Sequence, residues 1–362
     1  MMNPIKVLVV DDSAFMRALI KDLLSNNKRI QVIGTARNGL DALDKIKRLK
    51  PDVVTLDVEM PVMDGIDALK KIMSESPLPV IMVSSTTTEG AKNTILAMQY
   101  GAFDFIAKPS GSISLDLYKV KDELINRILE TKRVNLKQLV QADPIGPKPL
   151  PIIDDDRKQW SIPKTNSYHR GKKLVLIGTS TGGPRALEKV LTCLPRNLQA
   201  PILVVQHMPK GFTKSLAERL DAISEIHVKE AENSEILQNG VAYIAPGGLH
   251  LVVRKVGKTL VTELSTEPPL KGHRPSVDKL FSSASQLRDY QKVAVIMTGM
   301  GSDGTEGLKQ LKQSKNIYAI AESEKTAIIF GMPKSAINSG YIDCVTDLEK
   351  IADQITKIIN EG

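Results

Sequence analysis

The chain alternates short apolar runs with longer amphipathic stretches, first over its N-terminal third and again over its C-terminal half. In the first region the apolar runs have the length of strands, and the segments between them are long enough for helices, which predicts repeated βα units. The predicted strands are 5–10, 30–36, 52–57, 79–84 and 103–106. Because parallel strands need crossover connections, we expect a doubly wound parallel sheet with a binding edge at the carboxyl ends of its strands.

The same pattern resumes later, with apolar strands predicted near 173–178, 201–206, 241–245, 251–254, 293–298 and 317–321. The intervening segment contains D-P-I-G-P-K-P-L-P, and this proline density favours extended conformers over an independent domain. We therefore predict two α/β domains joined by a linker, with boundaries at 1–125, 126–170 and 171–362.

Polar side chains follow the strands of the first predicted sheet. Asp11 and Asp12 follow the first strand, Asp57 ends the third, Ser84 ends the fourth, and Lys108 follows the fifth. Clustered carboxylates repel one another unless a cation neutralises them, and Mg²⁺ prefers oxygen ligands. The sequence therefore predicts a Mg²⁺ site at this edge, with the lysine suited to a neighbouring phosphoryl group.

Three strands of the second region end in groups suited to acyl transfer. The stretch K-L-V-L-I-G-T-S-T-G-G-P contains Ser180 in a G-x-S-x-G pattern, His207 directly follows another strand, and Asp303 lies in the glycine-rich loop G-M-G-S-D-G. A serine hydroxyl is a poor nucleophile until a base takes its proton, and an imidazole base works best when a carboxylate fixes its tautomer. If the strands are parallel neighbours, the three side chains share one edge.

Each member of this candidate triad has a competitor. Ser180 is also suited to capping a helix. His250 in A-P-G-G-L-H and His273 in K-G-H-R-P-S compete with His207 as the base, and Asp278 competes with Asp303. Their position directly after strands favours His207 and Asp303, but the pattern alone leaves the alternatives open.

The loop at 299–304 also fits the dinucleotide-binding pattern G-x-G-x-x-G, with Glu322 about 20 residues further on. Such a domain normally begins with this unit and adds several more, whereas little of this chain follows the loop. A nucleotide-dependent oxidoreductase is therefore the weaker alternative.

Composition narrows the remaining function classes. The chain has 362 residues and a formal net charge of +8, but Lys plus Arg against Asp plus Glu number 16 and 16 over 1–125, 9 and 5 over 126–170, and 24 and 20 over 171–362. No segment forms the concentrated basic stripe of a nucleic-acid-binding protein. The longest apolar runs are too short to insert into a membrane, and two cysteines favour a reducing compartment, so we expect a cytoplasmic protein.

The motifs V-L-V-V-D-D-S, T-L-D-V-E-M-P-V-M-D-G, V-S-S and A-K-P occur in this order over residues 1–125, which resembles the receiver domain of two-component response regulators. The resemblance implies a flavodoxin-like fold in which Asp57 accepts a phosphoryl group from a histidine kinase. It also implies that Asp11, Asp12 and Asp57 hold Mg²⁺, that Ser84 and Lys108 contact the phosphoryl oxygens, and that Phe105 occupies an aromatic switch position.

The motifs I-G-T-S-T-G-G-P, Q-H-M-P-K-G-F-T, Y-I-A-P-G-G-L-H, H-R-P-S-V-D and T-G-M-G-S-D-G resemble the catalytic domain of the chemotaxis protein-glutamate methylesterase/glutamine deamidase family. The resemblance implies a Rossmann-like fold in which Ser180 is the nucleophile, His207 the base and Asp303 the carboxylate that orients it. The implied substrates are methyl-esterified glutamates and glutamines of chemoreceptors, and the ester reaction needs no cofactor.

Three further expectations concern binding and regulation. Backbone N–H groups near Thr181 and Met300 are our candidates for an oxyanion hole, because glycine-flanked loops at one sheet edge can aim donors at developing charge. Arg274 is a candidate for contacting receptor carboxylates. The resemblance further implies that the unphosphorylated receiver obstructs the catalytic edge and that phosphorylation at Asp57 weakens this docking.

Overall fold

Apolar residues occupy nearly every position of the inner strands, as expected for parallel sheets that are covered by helices on both faces. The computed structural model describes residues 3–108, 113–140, 172–314 and 316–361. Within these ranges the chain forms two parallel sheets, each flanked by helices, and a separate antiparallel hairpin. The predicted fold class, two doubly wound α/β units, is confirmed.

The first sheet has the strand order β2-β1-β3-β4-β5, and all of its neighbouring strands are parallel. Its elements are β1 Ile5–Val10, α1 Ala14–Ser25, β2 Ile30–Ala36, α2 Gly39–Leu49, β3 Val53–Asp57, α3 Gly65–Glu75, β4 Val80–Ser84, α4 Thr88–Gln99, β5 Asp104–Ala107 and α5 Ile113–Glu130. Helices α1 to α4 begin where a polar side chain accepts a backbone N–H of the first turn; these caps are Ser13, Asn38, Asp64 and Thr87. The strand order reverses between β1 and β3, which places the residues after β1 beside the end of β3.

Helix α5 continues past residue 125, where the predicted receiver boundary lies, and ends at Glu130. A 3₁₀ turn at Thr131–Arg133 and helix α6 at Leu136–Val140 follow. The rest of the predicted linker, 141–170, lies outside the described residues. The domain boundaries remain a prediction.

The second sheet has the order β14-β13-β12-β6-β7-β9-β8, again with all neighbours parallel. Its strands are β6 Lys172–Thr179, β7 Ile202–Gln206, β8 His227–Glu230, β9 Val241–Ile244, β12 Tyr290–Ile296, β13 Ile317–Glu322 and β14 Cys344–Thr346. The helices are α7 Gly183–Leu191, α8 Phe212–Ile223, α9 Val277–Ser285, α10 Thr305–Gln313, α11 Met332–Asn338 and α12 Leu348–Glu361. The order reverses between β6 and β12, so the loops after these two strands meet at one point of the edge.

The apolar run predicted at 251–254 does not join the main sheet. It forms β10, His250–Val256, which pairs antiparallel with β11, Thr259–Ser265. The connecting turn contains Gly257 at φ 59°, a left-handed conformation that glycine adopts readily. So short a turn joins antiparallel strands only, which explains why β10 and β11 form a hairpin.

Candidate functional site

The three predicted metal-binding aspartates of the first sheet lie together. One carboxylate oxygen from each of Asp11, Asp12 and Asp57 falls within 4.8 Å of the others. The Lys108 ammonium lies 2.8 Å from Asp57 Oδ2 and 3.2 Å from Asp11 Oδ2. Asp11 and Asp57 are buried, whereas Asp12 is exposed. The arrangement offers an oxygen-rich site for a hard divalent cation, with an ammonium beside it.

Burial raises the pKa of Asp57 to about 6, assisted by the negative charge of Asp11 and opposed by Lys108 and by a hydrogen bond from the Glu59 backbone N–H. Desolvation disfavours a carboxylate, and a second carboxylate adds repulsion. A divalent cation bound here would relieve both costs, so these residues fit the Mg²⁺ that a receiver implies.

Ser84 lies at the same edge, but its hydroxyl is directed away from the aspartates. The hydroxyl donates to the Gly90 carbonyl of α4 at 3.0 Å, and a weaker contact of 3.3 Å reaches the Ser85 carbonyl. The structure therefore brings Lys108 to Asp57 and leaves the hydroxyl of Ser84 hydrogen-bonded to helix α4.

Ser180 lies at the point of the second sheet where the strand order reverses. It directly follows β6, and its backbone N–H donates to the Thr298 carbonyl after β12 at 3.0 Å. Gly182 has φ 78°, a left-handed conformation that lets the chain turn sharply into α7. A Cβ on Gly299 would lie 2.8 Å from Ser180 Cβ, so only glycine permits this close approach of the two loops.

His207 is the neighbour of Ser180 across the sheet. Parallel pairing places Thr179 of β6 opposite Gln206 of β7, so the next residue on each strand is Ser180 and His207 respectively. The His207 backbone N–H donates to the Thr179 carbonyl at 3.2 Å, which continues the ladder by one residue. In the described part of the chain no hydrogen bond joins the Ser180 hydroxyl to His207.

Asp303 is hydrogen-bonded to the imidazole of His207, with Oδ2 2.7 Å from Nε2. This carboxylate also accepts the backbone N–H groups of Val277, Asp278 and Gly304 and the hydroxyl of Ser276, at 2.7 to 3.0 Å. Burial opposes ionisation, but His207 and these N–H donors outweigh it and hold the pKa of Asp303 well below its usual range. Asp303 is therefore a firmly ionised carboxylate.

The hydrogen bond to Asp303 assigns the proton to Nε2 of neutral His207, which leaves Nδ1 as an acceptor. Nδ1 is buried and has no hydrogen-bond partner among the described residues. His207 therefore has an acceptor nitrogen without a partner, and it lies beside Ser180 at the sheet edge.

The competitors found in the sequence have other contacts. His250 Nε2 lies 3.1 Å from the Pro268 carbonyl, and Asp278 Oδ1 accepts the Gly304 and Gly307 N–H groups at 2.8 Å. His273 does reach the site, and its ring stacks on that of His207. Of the candidate pairs, His207 and Asp303 are the two that the structure joins by a hydrogen bond.

Glu322 has no exposed surface, and it accepts the Thr298 backbone N–H at 2.7 Å. A ribose hydroxyl therefore has no access to this carboxylate, which argues against the dinucleotide-binding alternative.

The remaining predicted residues flank the site. Among the described residues, no acceptor pairs with the backbone N–H of Thr181 or Met300, the two donors predicted for an oxyanion hole. Arg274 donates from Nη1 to the Thr266 and Glu267 carbonyls at 2.9 and 3.0 Å, which fixes it against its own loop.

Two features escaped the sequence analysis. Ser276 caps helix α9, and its hydroxyl donates to Asp303. In the sequence, a serine before an apolar helix predicted only the cap and not the bond to Asp303.

Arg127 of α5 pairs with Asp104 at 2.5 Å and also donates to the Thr181 hydroxyl, which in turn donates to Asp104 at 2.7 Å. This buried group, here called the interdomain triad (Asp104, Arg127 and Thr181), directly adjoins the candidate nucleophile.

Other contacts join the same two faces. The Phe105 ring packs against Phe212 at the start of α8, with centroids 4.6 Å apart. Gln99 of α4 donates to Glu188 of α7, and Arg185 of α7 donates to the carbonyls of Gln138 and Leu139 of α6. The first unit therefore covers the second beside the Ser180 edge.

Comparisons with known proteins agree with both halves of this description. The CheB methylesterase family model matches residues 175–355, and the response regulator receiver domain model matches residues 7–117. No helix within the described ranges is both long and apolar enough to cross a bilayer.

A protein-glutamate methylesterase/protein-glutamine glutaminase of Geobacillus kaustophilus is 58% identical, with 99% of this chain and 100% of the relative covered. A protein of the same name from Pyrococcus horikoshii is 45% identical, with 98% and 94% covered. The crystal structure of the Thermotoga maritima CheB methylesterase catalytic domain is 44% identical with a TM-score of 0.50, and the match covers 52% of this chain and 100% of that one. These findings confirm the resemblance, and the chain belongs to the protein-glutamate methylesterase/protein-glutamine glutaminase family, with a receiver domain ahead of a CheB methylesterase domain.

Proposed function

We propose that this protein removes methyl esters from glutamate side chains of chemoreceptors, and deamidates receptor glutamines, by a Ser-His-Asp mechanism that phosphorylation of the receiver activates. The observation that carries the proposal is the hydrogen bond from His207 Nε2 to Asp303, which leaves Nδ1 without a partner on a residue that neighbours Ser180 across the sheet. The names of the relatives support the same chemistry for this chain.

In the proposed reaction the Ser180 hydroxyl attacks the ester carbonyl while His207 Nδ1 takes its proton. Asp303 stabilises the resulting imidazolium, and the N–H groups of Thr181 and Met300 donate to the oxyanion. The tetrahedral intermediate then collapses, and the departing methoxide takes the proton from His207 and leaves as methanol. Water, deprotonated by the same imidazole, hydrolyses the acyl-enzyme to glutamate; a glutamine substrate releases ammonia instead and reaches the same intermediate.

In the receiver, the proposal assigns Asp57 as the acceptor of a phosphoryl group from a histidine kinase or a small phosphodonor. Asp11, Asp12 and Asp57 would hold Mg²⁺, which when bound supplies positive charge to the carboxylates and the phosphoryl oxygens. Lys108 is placed to bind a phosphoryl oxygen. Ser84 would reach the phosphoryl group by releasing the Gly90 carbonyl, a change that couples the site to α4.

Regulation through docking is supported by the contacts between the two units. The interdomain triad attaches the receiver to Thr181, the residue after the nucleophile, and α4 packs against α7 and α8. A receiver in this position occupies the surface beside Ser180 to which a receptor helix would have to bind. Phosphorylation would shift a two-state equilibrium toward the undocked form.

The test is methanol release from methyl-esterified chemoreceptor membranes by wild type and Ser180→Ala, each with and without acetyl phosphate and Mg²⁺. The proposal expects release by wild type, faster with the donor, and none by Ser180→Ala under either condition. Release by folded Ser180→Ala at the wild-type rate would contradict the mechanism. If acetyl phosphate is shown to phosphorylate Asp57 and the wild-type rate of methanol release stays the same, the proposed regulation is contradicted.

A further inference from the structure

His273 lies directly on the ring of the candidate base. The imidazoles of His207 and His273 are parallel to within 6°, and their centroids are 3.9 Å apart. Neither ring nitrogen of His273 makes a hydrogen bond to another described residue. The contact between the two residues is therefore one of ring faces.

His273 is held in this position by a tight turn that begins at Leu270. Leu270 and His273 exchange two backbone hydrogen bonds of 3.0 Å, and the residues between them, Lys271 and Gly272, both have positive φ, at 51° and 86°. This is the signature of a tight type I′ turn. The Lys271 ammonium also lies 2.9 Å from Asp278 Oδ2, so the turn is attached to the helix whose first turn binds Asp303.

His207 needs such a contact because one hydrogen bond does not fix a ring. The bond from Nε2 to Asp303 sets the tautomer, but it still allows the ring plane to rotate about that bond. Rotation would change the direction of Nδ1, which accepts the Ser180 proton in the proposed mechanism. A flat surface against one face of the imidazole removes this freedom and also excludes water from that face.

The charge state of His273 suits this role. Burial lowers its pKa to about 4; the interactions with His207 and Arg127 act in the same direction, and the Asp303 carboxylate opposes them. His273 is therefore neutral when His207 takes the serine proton. A neutral aromatic face can lie against an imidazolium, whereas a second imidazolium would be repelled by it.

We propose that His273 is a positioning residue, which holds the His207 ring by stacking so that Nδ1 faces Ser180. This inference rests on the proposed Ser-His-Asp mechanism and deepens it. Because the ring face carries the effect, an aromatic replacement without nitrogen should preserve it. Because Ser180 is activated through His207, the loss should fall on kcat rather than on the KM for receptor.

The experiment is methanol release by the full-length protein with acetyl phosphate and Mg²⁺, comparing His273→Ala, His273→Phe and the matched control His227→Ala. His227 lies on the edge strand β8, away from the Ser180 edge. We expect His273→Ala to lower kcat about two- to twelvefold, the range of measured ring-stacking contributions, at unchanged apparent KM. His273→Phe and His227→Ala should stay within about twofold of wild type.

A kcat of His273→Ala equal to that of an active wild type would overturn the inference while the proposed function stands. A His273→Phe variant as slow as His273→Ala would overturn it too, since a nitrogen and not the ring face would then be responsible. If folded wild type releases no methanol, the proposed function itself fails. Should His273→Ala melt far below wild type, His273→Leu replaces it: Leu fills the space without a flat ring and should be slow beside His273→Phe, and equal rates of these two would overturn the stacking role.

Discussion

Asp57 and Asp303 occupy equivalent places in the two units of this protein, yet their environments differ. Each lies at the carboxyl end of a central parallel strand or in the loop after it, and each is almost fully buried. The pKa of Asp57 is raised to about 6, whereas that of Asp303 is held well below its usual range. The same residue type in the same part of the same architecture thus has two different properties.

The difference follows from the neighbours of each carboxylate. Asp303 accepts three backbone N–H groups, a hydroxyl and an imidazole, so its charge is fully solvated by the protein. Asp57 shares its site with other carboxylates and has the Lys108 ammonium as its cation. A carboxylate with a complete set of donors is suited to holding another group in place. One with an incomplete set is suited to binding a cation and to reacting with an electrophile.

The first test removes the charge of Asp303, the carboxylate with the full set of hydrogen-bond donors. Asp303→Asn keeps the size of the side chain, but its amide cannot both satisfy the backbone donors and accept from His207, so the imidazole loses its tautomer. We expect kcat for methanol release to fall about 10⁴-fold, the loss found for the equivalent change in serine proteases. Asp289→Asn, a half-exposed aspartate that pairs with Lys255, is the matched control and should keep full activity. A loss of less than tenfold would mean that Asp303 does not orient the base.

The second test removes the carboxylate of Asp57, which has an incomplete set of hydrogen-bond donors. Asp57→Asn has no carboxylate oxygen to accept a phosphoryl group, so acetyl phosphate with Mg²⁺ should leave its methanol release unchanged at the low, unstimulated rate. Incorporation of labelled phosphate should be lost in parallel. Asp67→Asn, an exposed aspartate of α3, should respond to the donor as wild type does. Stimulation of Asp57→Asn to the wild-type level would show that another group receives the phosphoryl group.

The third test concerns Asp104, which pairs with Arg127 of its own unit and accepts the Thr181 hydroxyl across the interface. Arg127→Ala leaves buried Asp104 without its cation, a cost of roughly 3–5 kcal/mol in buried pairs, and removes the hydrogen bond from Arg127 to the Thr181 hydroxyl. We expect the receiver to undock, because water then reaches the Asp104 carboxylate. We expect unphosphorylated Arg127→Ala to release methanol at least about tenfold faster than wild type, since 1.4 kcal/mol of docking energy already gives that factor. The exposed neighbour Arg133→Ala is the control. An unchanged basal rate would show that the triad does not hold the docked state.

The sequence predicted the two sheet edges well because their residues directly flank strands. Asp11, Asp57 and Lys108 could be placed together from the strand pattern alone, as could His207 beside Ser180. Parallel strands bring such residues to one edge whatever the details of packing.

The parts that could not be predicted depend on packing between distant segments. Arg127 lies within an amphipathic helix, where an arginine indicates only a polar face, and its partners Asp104 and Thr181 belong to another strand and another domain. The stack of His273 on His207 likewise depends on a turn attached to Asp278. The edge strands β8 and β14 were missed because their short sequences, H-V-K-E and C-V-T, carry too few apolar residues to indicate a strand.

Glu322 offers the mildest test of the comparison, because it is a buried carboxylate with an intermediate set of donors. It accepts the Thr298 N–H and the Thr326 hydroxyl, yet burial raises its pKa to about 7 from an ordinary value of 4.5. A carboxyl whose folded-state pKa is raised binds more protons when folded, so its contribution to stability is fully present below pH 4.5 and is lost as the pH rises to about 7. The loss is at most about 3 kcal/mol.

Glu322→Gln removes this titration while its amide keeps an oxygen for Thr298 and an N–H for the Thr326 oxygen. We expect the melting temperature of the variant, relative to wild type, to rise between pH 5 and pH 7 and to level off above that, with activity unchanged. Glu324→Gln, an exposed carboxyl nearby, should show no such trend. If the difference in melting temperature between Glu322→Gln and wild type does not depend on pH, the hydrogen bonds from Thr298 and Thr326 suffice to keep Glu322 ionised, as the fuller set of donors does for Asp303. Two donors would then be enough to offset burial in this fold.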